Sequence, residues 1–315
     1  MNKFKKFFYY LFNDRRTIKL ILLYKFAKFY SDEKFLKKLF RLRMGYELNL
    51  DNPQTFSEKL QWLKLYNRKP EYTQMVDKYE AKKYVASIIG KEYIIPTLGV
   101  WDRVEDIDWK ELPNQFVLKC THDSGGLVIC KDKSTFDIKK AVEKLKKSMK
   151  RDYFYYNREW PYKNVKKRII AEKFIKVQGH QDIPDYKFFC FNGEPKYCQV
   201  IRDRNTNETI DFYDMEWNHM PFIGLVPVVK NGKISVTENG KTSVAKPSHL
   251  DNMIAVCKKL AKNIPFSRID LYVVEDREFF GEITFYPMSG MGEFHPQEWN
   301  YKFGEWIKLP DSKIC

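Results

Sequence analysis

The stretch RIDLYVVEDREFFGEITFYP, Arg268 to Pro287, decides how this chain is read. Two runs of strand character flank a polar turn around Glu275, Asp276 and Arg277. A three-residue loop there sets Asp270 opposite Glu282 and Arg268 opposite Thr284. Because side chains alternate along a strand, Arg268, Asp270, Glu282 and Thr284 then share one face. Ile269, Leu271, Val273, Phe279, Ile283 and Phe285 take the other. Like charges directly opposite on adjacent strands repel by roughly 0.2–1 kcal/mol, so two facing carboxylates suggest a cation between them. Oxygen-only ligands suit Mg²⁺, which completes its shell with water and substrate phosphates. The simpler alternative is an exposed hairpin face whose acids Arg268 neutralises. A loop one residue longer or shorter would break the register.

Outward from the hairpin, the next informative segment is QFVLKCTHDSGGLVIC, Gln115 to Cys130. A strand delivers Lys119 near its end, a Ser124-Gly125-Gly126 turn follows, and an apolar strand begins at Leu127. Small residues let backbone N–H groups approach a phosphate, and the nearby lysine adds charge. The P-loop and dinucleotide glycine patterns are both missing here, and a tight hairpin turn is the competing reading. Glu172 and Lys173 close a third apolar run, Ile169 to Ile175. Asp185 and Lys187 open the following strand on one face.

Net charge is +15 over 315 residues, but residues 1–43 hold thirteen Lys/Arg against three Asp/Glu. The basic character therefore belongs mainly to the N-terminal segment. That pattern suits an acidic partner for this segment, such as an anionic membrane leaflet, and no nucleic-acid partner is expected. Hydrophobic residues make up 43% and charged residues 31%, the balance of a soluble globular protein long enough for two or three lobes. None of the six cysteines forms a CxxC pair, and Cys120, Cys130, Cys190 and Cys198, in apolar strand-like runs, read as buried hydrophobes in a reducing compartment. No secretory signal or spanning segment of ~20 apolar residues is evident. The expected location is cytoplasmic, with peripheral contact at the inner face of the membrane as the open question.

Residues 1–45 look helical, with Phe4, Phe7, Phe8 and Leu11 on one stripe and lysines among them. The segment could lie flat on anionic lipid or pack as a cap on the body. Thr55-Phe-Ser-Glu58 has the form of a capping box. A second helix is expected from Val76 to Ile89, ending at Gly90. Strands are expected at Tyr93 to Leu98, Phe116 to Cys120 and Leu127 to Cys130, and a helix at Ile138 to Lys150. Beyond Arg168 the pattern is mainly β, with Asn192-Gly193 as a hairpin signal and a late helix at Leu250 to Lys262.

These pieces, with FSEKLQWLKLY, VDKYEAKKYV, YYNREWPYKN and DYKFFCFNGEPK, resemble the ATP-grasp fold, and within it the TupA-like proteins of bacterial surface-polysaccharide gene clusters. The resemblance runs from about Leu48 to the C-terminus. It implies an α+β architecture with a nucleotide held between two lobes. The expected divisions are a basic helical extension (1–47), an N-terminal lobe (48–110), a small lobe with the phosphate loop (111–175) and a C-terminal lobe with the Mg²⁺ site (176–315). Carried over residue by residue, the resemblance makes Lys78 and Lys119 nucleotide-phosphate lysines. Ser124, Gly125 and Gly126 become the closing loop, Glu172, Lys173 and Ile175 the adenine segment, and Asp185 the ribose acid. Asp270 and Glu282 become metal-bridging acids, and Arg268 the arginine that stabilises the reacting group. Thr284 stands where the family has Asn, which puts a second metal site in doubt.

The activity implied is ATP-dependent carboxylate–amine ligation through an acyl phosphate. It would join an amino acid or other amine to a carboxylate-bearing carbohydrate of a surface polysaccharide, with ATP and Mg²⁺ as cofactors. Arg158, Trp160, Tyr162 and Lys163 are candidates for an acceptor cleft, with a surface aromatic turn as the alternative. Two rival functions remain open. One is a glycosyltransferase, on the strength of Asp106-Ile-Asp108; the other is a non-catalytic ATP-grasp scaffold.

Overall fold

Helical spacing of apolar residues and well-placed capping groups organise the N-terminal third. The computed structural model describes residues 15–175, 185–202, 209–226, 243–275 and 277–314; the Phe4 to Leu11 stripe lies outside them. Helix α1 (Arg15–Lys25) precedes α2 (Asp32–Met44), whose N-cap Ser31 accepts from the Lys34 amide. Phe35, Leu36, Leu39 and Phe40 of α2 are fully buried in the main core. This stretch is thus a cap packed on the body, with Lys34, Lys37 and Lys38 in solvent.

Helix α3 (Phe56–Tyr66) begins with the expected capping box. Thr55 Oγ1 accepts from Glu58 N, and Glu58 Oε2 accepts from Thr55 N at 3.0 Å. The helix expected from Val76 to Ile89 is instead two: α4 (Glu71–Val76) and α5 (Glu80–Ile89). Asp77 is the reason. Its carboxylate accepts from the amides of Tyr79 (2.9 Å) and Glu80 (3.3 Å), offering the backbone an alternative to the helix. Arg168 clasps Asp77 and Glu80 and fixes the break.

Two antiparallel sheets follow. The first comprises β1 (Thr97–Trp101), β2 (Phe116–Cys120), β3 (Leu127–Cys130) and β4 (Ile169–Lys173) in the order β1-β4-β2-β3. Helix α6 (Ile138–Met149) covers it, with Leu145 against Phe116, Leu118 and Ala171 in a separate apolar cluster. The strand expected from Tyr93 starts only at Thr97, because Pro96 before it has no N–H for a ladder. Strand β1, before residue 110, pairs with β4 beyond it. A short helix, α7 (Phe154–Asn157), leads from α6 towards β4.

The second sheet holds β5 (Asp185–Phe191), β6 (Glu194–Arg202), β7 (Thr209–Tyr213), β9 (Phe266–Val274) and β10 (Arg277–Thr284) in the order β10-β9-β5-β6-β7. Asn192 and Gly193 turn β5 into β6 at φ 49° and 88°, as a type I′ hairpin requires. The short strands β8 (Ile223–Val226) and β11 (Glu293–His295) pair separately. Helices α8 (Leu250–Leu260) and α9 (Glu298–Trp306) complete the main core, in which Phe303 packs on Phe56, Phe191 and Tyr197.

The β9–β10 hairpin reaches the expected pairing by a different route. Val274 pairs with Arg277, so the turn has two residues, with Glu275 at φ 49°. That register alone would set Asp270 against Gly281. A bulge between Phe280 and Glu282 inserts one residue and restores Asp270 to Glu282 and Arg268 to Thr284. On the turn side of the bulge the expected faces are exchanged. Phe280, not Phe279, opposes Leu271 in the core, and Phe279 opposes Tyr272. Glycine is required at the bulge, since a Cβ there would come within 2.9 Å of Tyr272 Cε2 and 3.0 Å of Asp270 O.

Candidate active site

The two sheets line one cavity of about 570 Å³. The second sheet contributes a charged cluster. Arg268 Nε and Nη2 donate to the two oxygens of Asp270 (2.6 and 2.7 Å), and Nη2 also reaches Glu282 Oε1 (3.0 Å) and Thr284 Oγ1 (3.1 Å). The Thr284 hydroxyl donates to Glu282 Oε1 at 2.9 Å. From neighbouring β5, Lys187 pairs with Asp270 and, at 2.7 Å, with Asp185. Asp270 is buried, whereas the Glu282 side chain is 46% exposed, and that exposure faces the concave cavity.

This environment splits the two acids. Burial raises the Asp270 carboxyl above its usual range despite Arg268 and Lys187. Glu282 also suffers desolvation, but Arg268, Lys187 and Lys78, with the Thr284 hydroxyl, bring it down to about 2. Glu282 is therefore a carboxylate at any working pH.

The first sheet supplies the opposite wall. Lys119 near the end of β2 and the loop to β3 line the cavity through Asp123, Ser124, Gly125 and Gly126. Gly125 sits at φ 111°, and a Cβ at Gly126 would lie 2.7 Å from both Asp123 Oδ1 and Cys120 Cβ. Two glycines are thus needed to bring this backbone alongside the cavity. The helix break at Asp77 aims Lys78 at the same loop, where its ammonium donates to Asp123 O. Burial lowers the Lys78 pKa, with Glu282 and Asp123 opposing. His122, the one histidine in this loop, is buried with Nε2 3.3 Å from Ser148 O and serves packing.

Glu172 on β4 is held by two lysines at 2.5 Å, Lys119 and Lys82. Burial would raise its pKa, but the two ammonium groups lower it. Sequence reasoning missed Lys82; its position one helical turn beyond Lys78 was the available signal. Lys173 and Ile175, expected beside the nucleotide, do not line the cavity: Lys173 alternates to the exposed side of β4. Asp185 does line it.

Glu172→Gln leaves two lysines facing each other without their acid. We expect a loss of about 3–5 kcal/mol at pH 7, the usual cost of breaking a buried pair. Because the folded pKa lies below the unfolded value of about 4.3, this contribution is complete above that pH. It disappears as pH falls through the folded pKa. Urea unfolding of both proteins from pH 7 to 3 should show the gap closing on the acid side.

Of the proposed acceptor residues, only Tyr162 lines the cavity. Arg158 is fully buried, donating to the Ala27 and Tyr30 carbonyls and pairing with Asp32 at 2.8 Å. It fastens the N-terminal cap. The acid beside it, Glu159, faces the cavity instead, together with Tyr153 and Arg43. Helix α3 positions this end. Lys64 donates to Asn157 O (3.0 Å) and Ser289 O (2.8 Å), and Gln61 to Ser289 O and Gly290 O. The FSEKLQWLKLY segment thus ties the turn after β10 to the turn before Glu159. Met288, Ser289 and Gly290 all have positive φ there. Asp106 and Asp108 are exposed and outside the cavity, Asp106 pairing with Arg103.

The family model described as TupA-like ATPgrasp matches residues 58–308. The chain belongs to the TupA-like ATP-grasp family. Its α+β ATP-grasp architecture is therefore the expected one. Among solved structures it is similar to a D-alanine–D-alanine ligase from Bacillus anthracis complexed with ATP (15% identity, 74% of this chain and 63% of that one, TM-score 0.41). It is also similar to one from Helicobacter pylori (15%, 81% and 69%, 0.40). A third is a RimK domain ATP-grasp protein from Sphaerobacter thermophilus (11%, 77% and 70%, 0.41). This TupA-like chain spans less than two thirds of the Bacillus ligase's length. No curated protein matches it.

Among the described residues, no three or more His, Cys, Asp or Glu side chains form a ready metal cage. Mg²⁺ needs none: one or two carboxylates with substrate phosphates and water are its usual shell. Asp270 and Glu282 supply that donor set, and the guanidinium between them marks where positive charge is needed. Their chemistry fits the ion.

Proposed function

We propose that this TupA-like protein is an ATP-dependent carboxylate–amine ligase that works through an acyl phosphate. The observation that carries the proposal is the meeting, in one cavity, of the Asp270–Glu282 pair, three lysines (Lys78, Lys119 and Lys187) and the glycine loop. Bound between the two acids, Mg²⁺ would neutralise phosphate oxygens. Lys78, Lys119 and the Ser124–Gly126 loop hold the phosphate tail, and Arg268 offsets charge that develops during transfer. A carboxylate oxygen of the substrate takes the terminal phosphoryl group and ADP leaves. The amine then forms the amide bond and displaces phosphate. No covalent protein nucleophile is needed.

The acid is proposed to be a uronic or related sugar acid of a surface polysaccharide, on the strength of the family. A phosphate-release screen with Mg-ATP, uronic acids and amino acids tests both steps. Formation of ADP and phosphate supports the ligase. Release of the nucleotide from a nucleotide sugar would support a glycosyltransferase instead, a reading that the exposed Asp106 and Asp108 leave without a site. In the same preparation Mg-ATP should raise Tm, by about 2.7 kcal/mol of stabilisation at 100 times Kd. Failure of Mg-ATP to raise Tm would favour the non-catalytic scaffold.

Residues 1–43 are proposed to touch anionic lipid. Among the described residues no helix is long and apolar enough to cross a membrane. Ile21, Leu22, Phe26 and Phe29 are nevertheless exposed, Phe29 at 85%, beside Lys25 and Lys28. Each basic residue near such a surface is worth ~1 kcal/mol. Co-sedimentation with phosphatidylserine vesicles, but not with phosphatidylcholine alone, is expected. Phe26→Ser with Phe29→Ser should abolish it, and equal binding to both vesicle types would refute the electrostatic part.

A further inference from the structure

Among the residues that line the cavity are two opposite charges that do not meet, Glu159 and Arg43. Glu159 is 5% exposed, and its Oε1 accepts from the Ser289 hydroxyl at 2.6 Å. Among the described residues, no Lys, Arg or His lies within ion-pair distance of it. Lys64 and Arg43 act on Glu159 only through their fields, and Lys64 is committed to the carbonyls of Asn157 and Ser289. Arg43, at the end of α2, lines the same space with one guanidinium nitrogen on the Tyr24 hydroxyl (2.6 Å). Tyr153 and Tyr162, with rings 4.8 Å apart, line the same cavity, near enough to both Glu159 and Glu282 to feel their charges.

A buried carboxylate and a guanidinium that face one cavity without pairing are unfavourable alone and complementary to a zwitterion. We infer that this pair binds the amine substrate as a free α-amino acid, its ammonium on Glu159 and its carboxylate on Arg43. The inference rests on the ligase reading and narrows its amine to one class. Burial raises the Glu159 carboxyl, against the fields of Lys64 and Arg43 and the hydrogen bond from Ser289. Helix α3 gives the site rigidity, because Lys64 and Gln61 lock both turns that deliver Glu159 and Ser289. The N-terminal cap, through Arg43, becomes part of the substrate site although it lies outside the matched family region.

The test is thermal shift and calorimetry on the full chain with Mg²⁺ and a non-hydrolysable ATP analogue. Ligands would be a panel of free α-amino acids, their α-carboxamides and simple alkylamines. At least one free amino acid should bind, while its carboxamide binds roughly 10- to 100-fold more weakly, the worth of a charged hydrogen bond. Arg43→Gln and Glu159→Gln should each lose a similar factor, with the nucleotide shift unchanged as the control for folding. Arg43→Gln should also cease to distinguish acid from carboxamide. Carboxamides or alkylamines binding as well as free amino acids would overturn the assignment. So would a protein that binds the nucleotide but no amino acid. A wild type without any nucleotide shift would instead remove the ligase reading, and this assignment with it.

Discussion

Glu282→Gln should lose at least about 10²-fold in phosphate release while keeping its fold. The side chain stays the same size, so Arg268 and Thr284 can still hydrogen-bond its amide oxygen. What changes is charge. Glu282 is held ionised at a pKa near 2, so Gln removes one full negative charge from the proposed metal face. Stability should fall, because the cluster favours the ionised form, but by less than the roughly 3–5 kcal/mol of a fully buried pair, since the Glu282 side chain is 46% exposed and Gln keeps its hydrogen bonds. Rate and Tm must therefore separate. Single-turnover assays with saturating Mg-ATP, alongside thermal melts, would show it. Unchanged turnover would exclude Glu282 from the metal site.

Arg268→Met should damage both stability and rate. Arg268 makes four hydrogen bonds to Asp270, Glu282 and Thr284, and without it two acids face each other with Lys187 paired to Asp270 and Lys78 acting on Glu282 through its field. Removing one partner from a buried ionic cluster costs about 3–5 kcal/mol, a fall in Tm of roughly 5–15 °C. The informative measurement adds MgCl₂ without nucleotide. In the variant, the divalent ion takes up the charge the guanidinium carried, so Mg²⁺ should recover part of the lost Tm. Wild type, already neutralised, should shift less. Equal shifts would argue that the acids do not share a cation. Arg268→Lys keeps the charge but not the planar fork, and should recover stability more fully than rate.

The sequence made the hairpin pairing of Asp270 with Glu282 legible, yet for an incomplete reason. A three-residue loop and a two-residue loop with a bulge place the same residues opposite. Only packing chooses between them: the bulge puts Phe280 into the core beside Leu271. Resemblance singled out Lys78 as a candidate phosphate lysine, but the means of aiming it at the cavity was not legible. Local periodicity runs straight through Asp77, and the break depends on Arg168, 91 residues later in the chain. Arg158 shows the converse. Its aromatic neighbourhood reads as a cleft, while its actual partners are backbone carbonyls of the N-terminal cap.

Strand alternation, the glycine loop and the collinear family segments lie within short windows, and residues in such windows interact through fixed local geometry. They determined the ATP-grasp fold and most of the proposed phosphate and metal face. The grouping behind the proposed amine site was decided by tertiary structure alone. Arg43, Lys64, Glu159 and Ser289 come from four distant segments, and no periodicity links them. Whether a charge is paired, buried or left facing a cavity depends on where the whole chain closes around it.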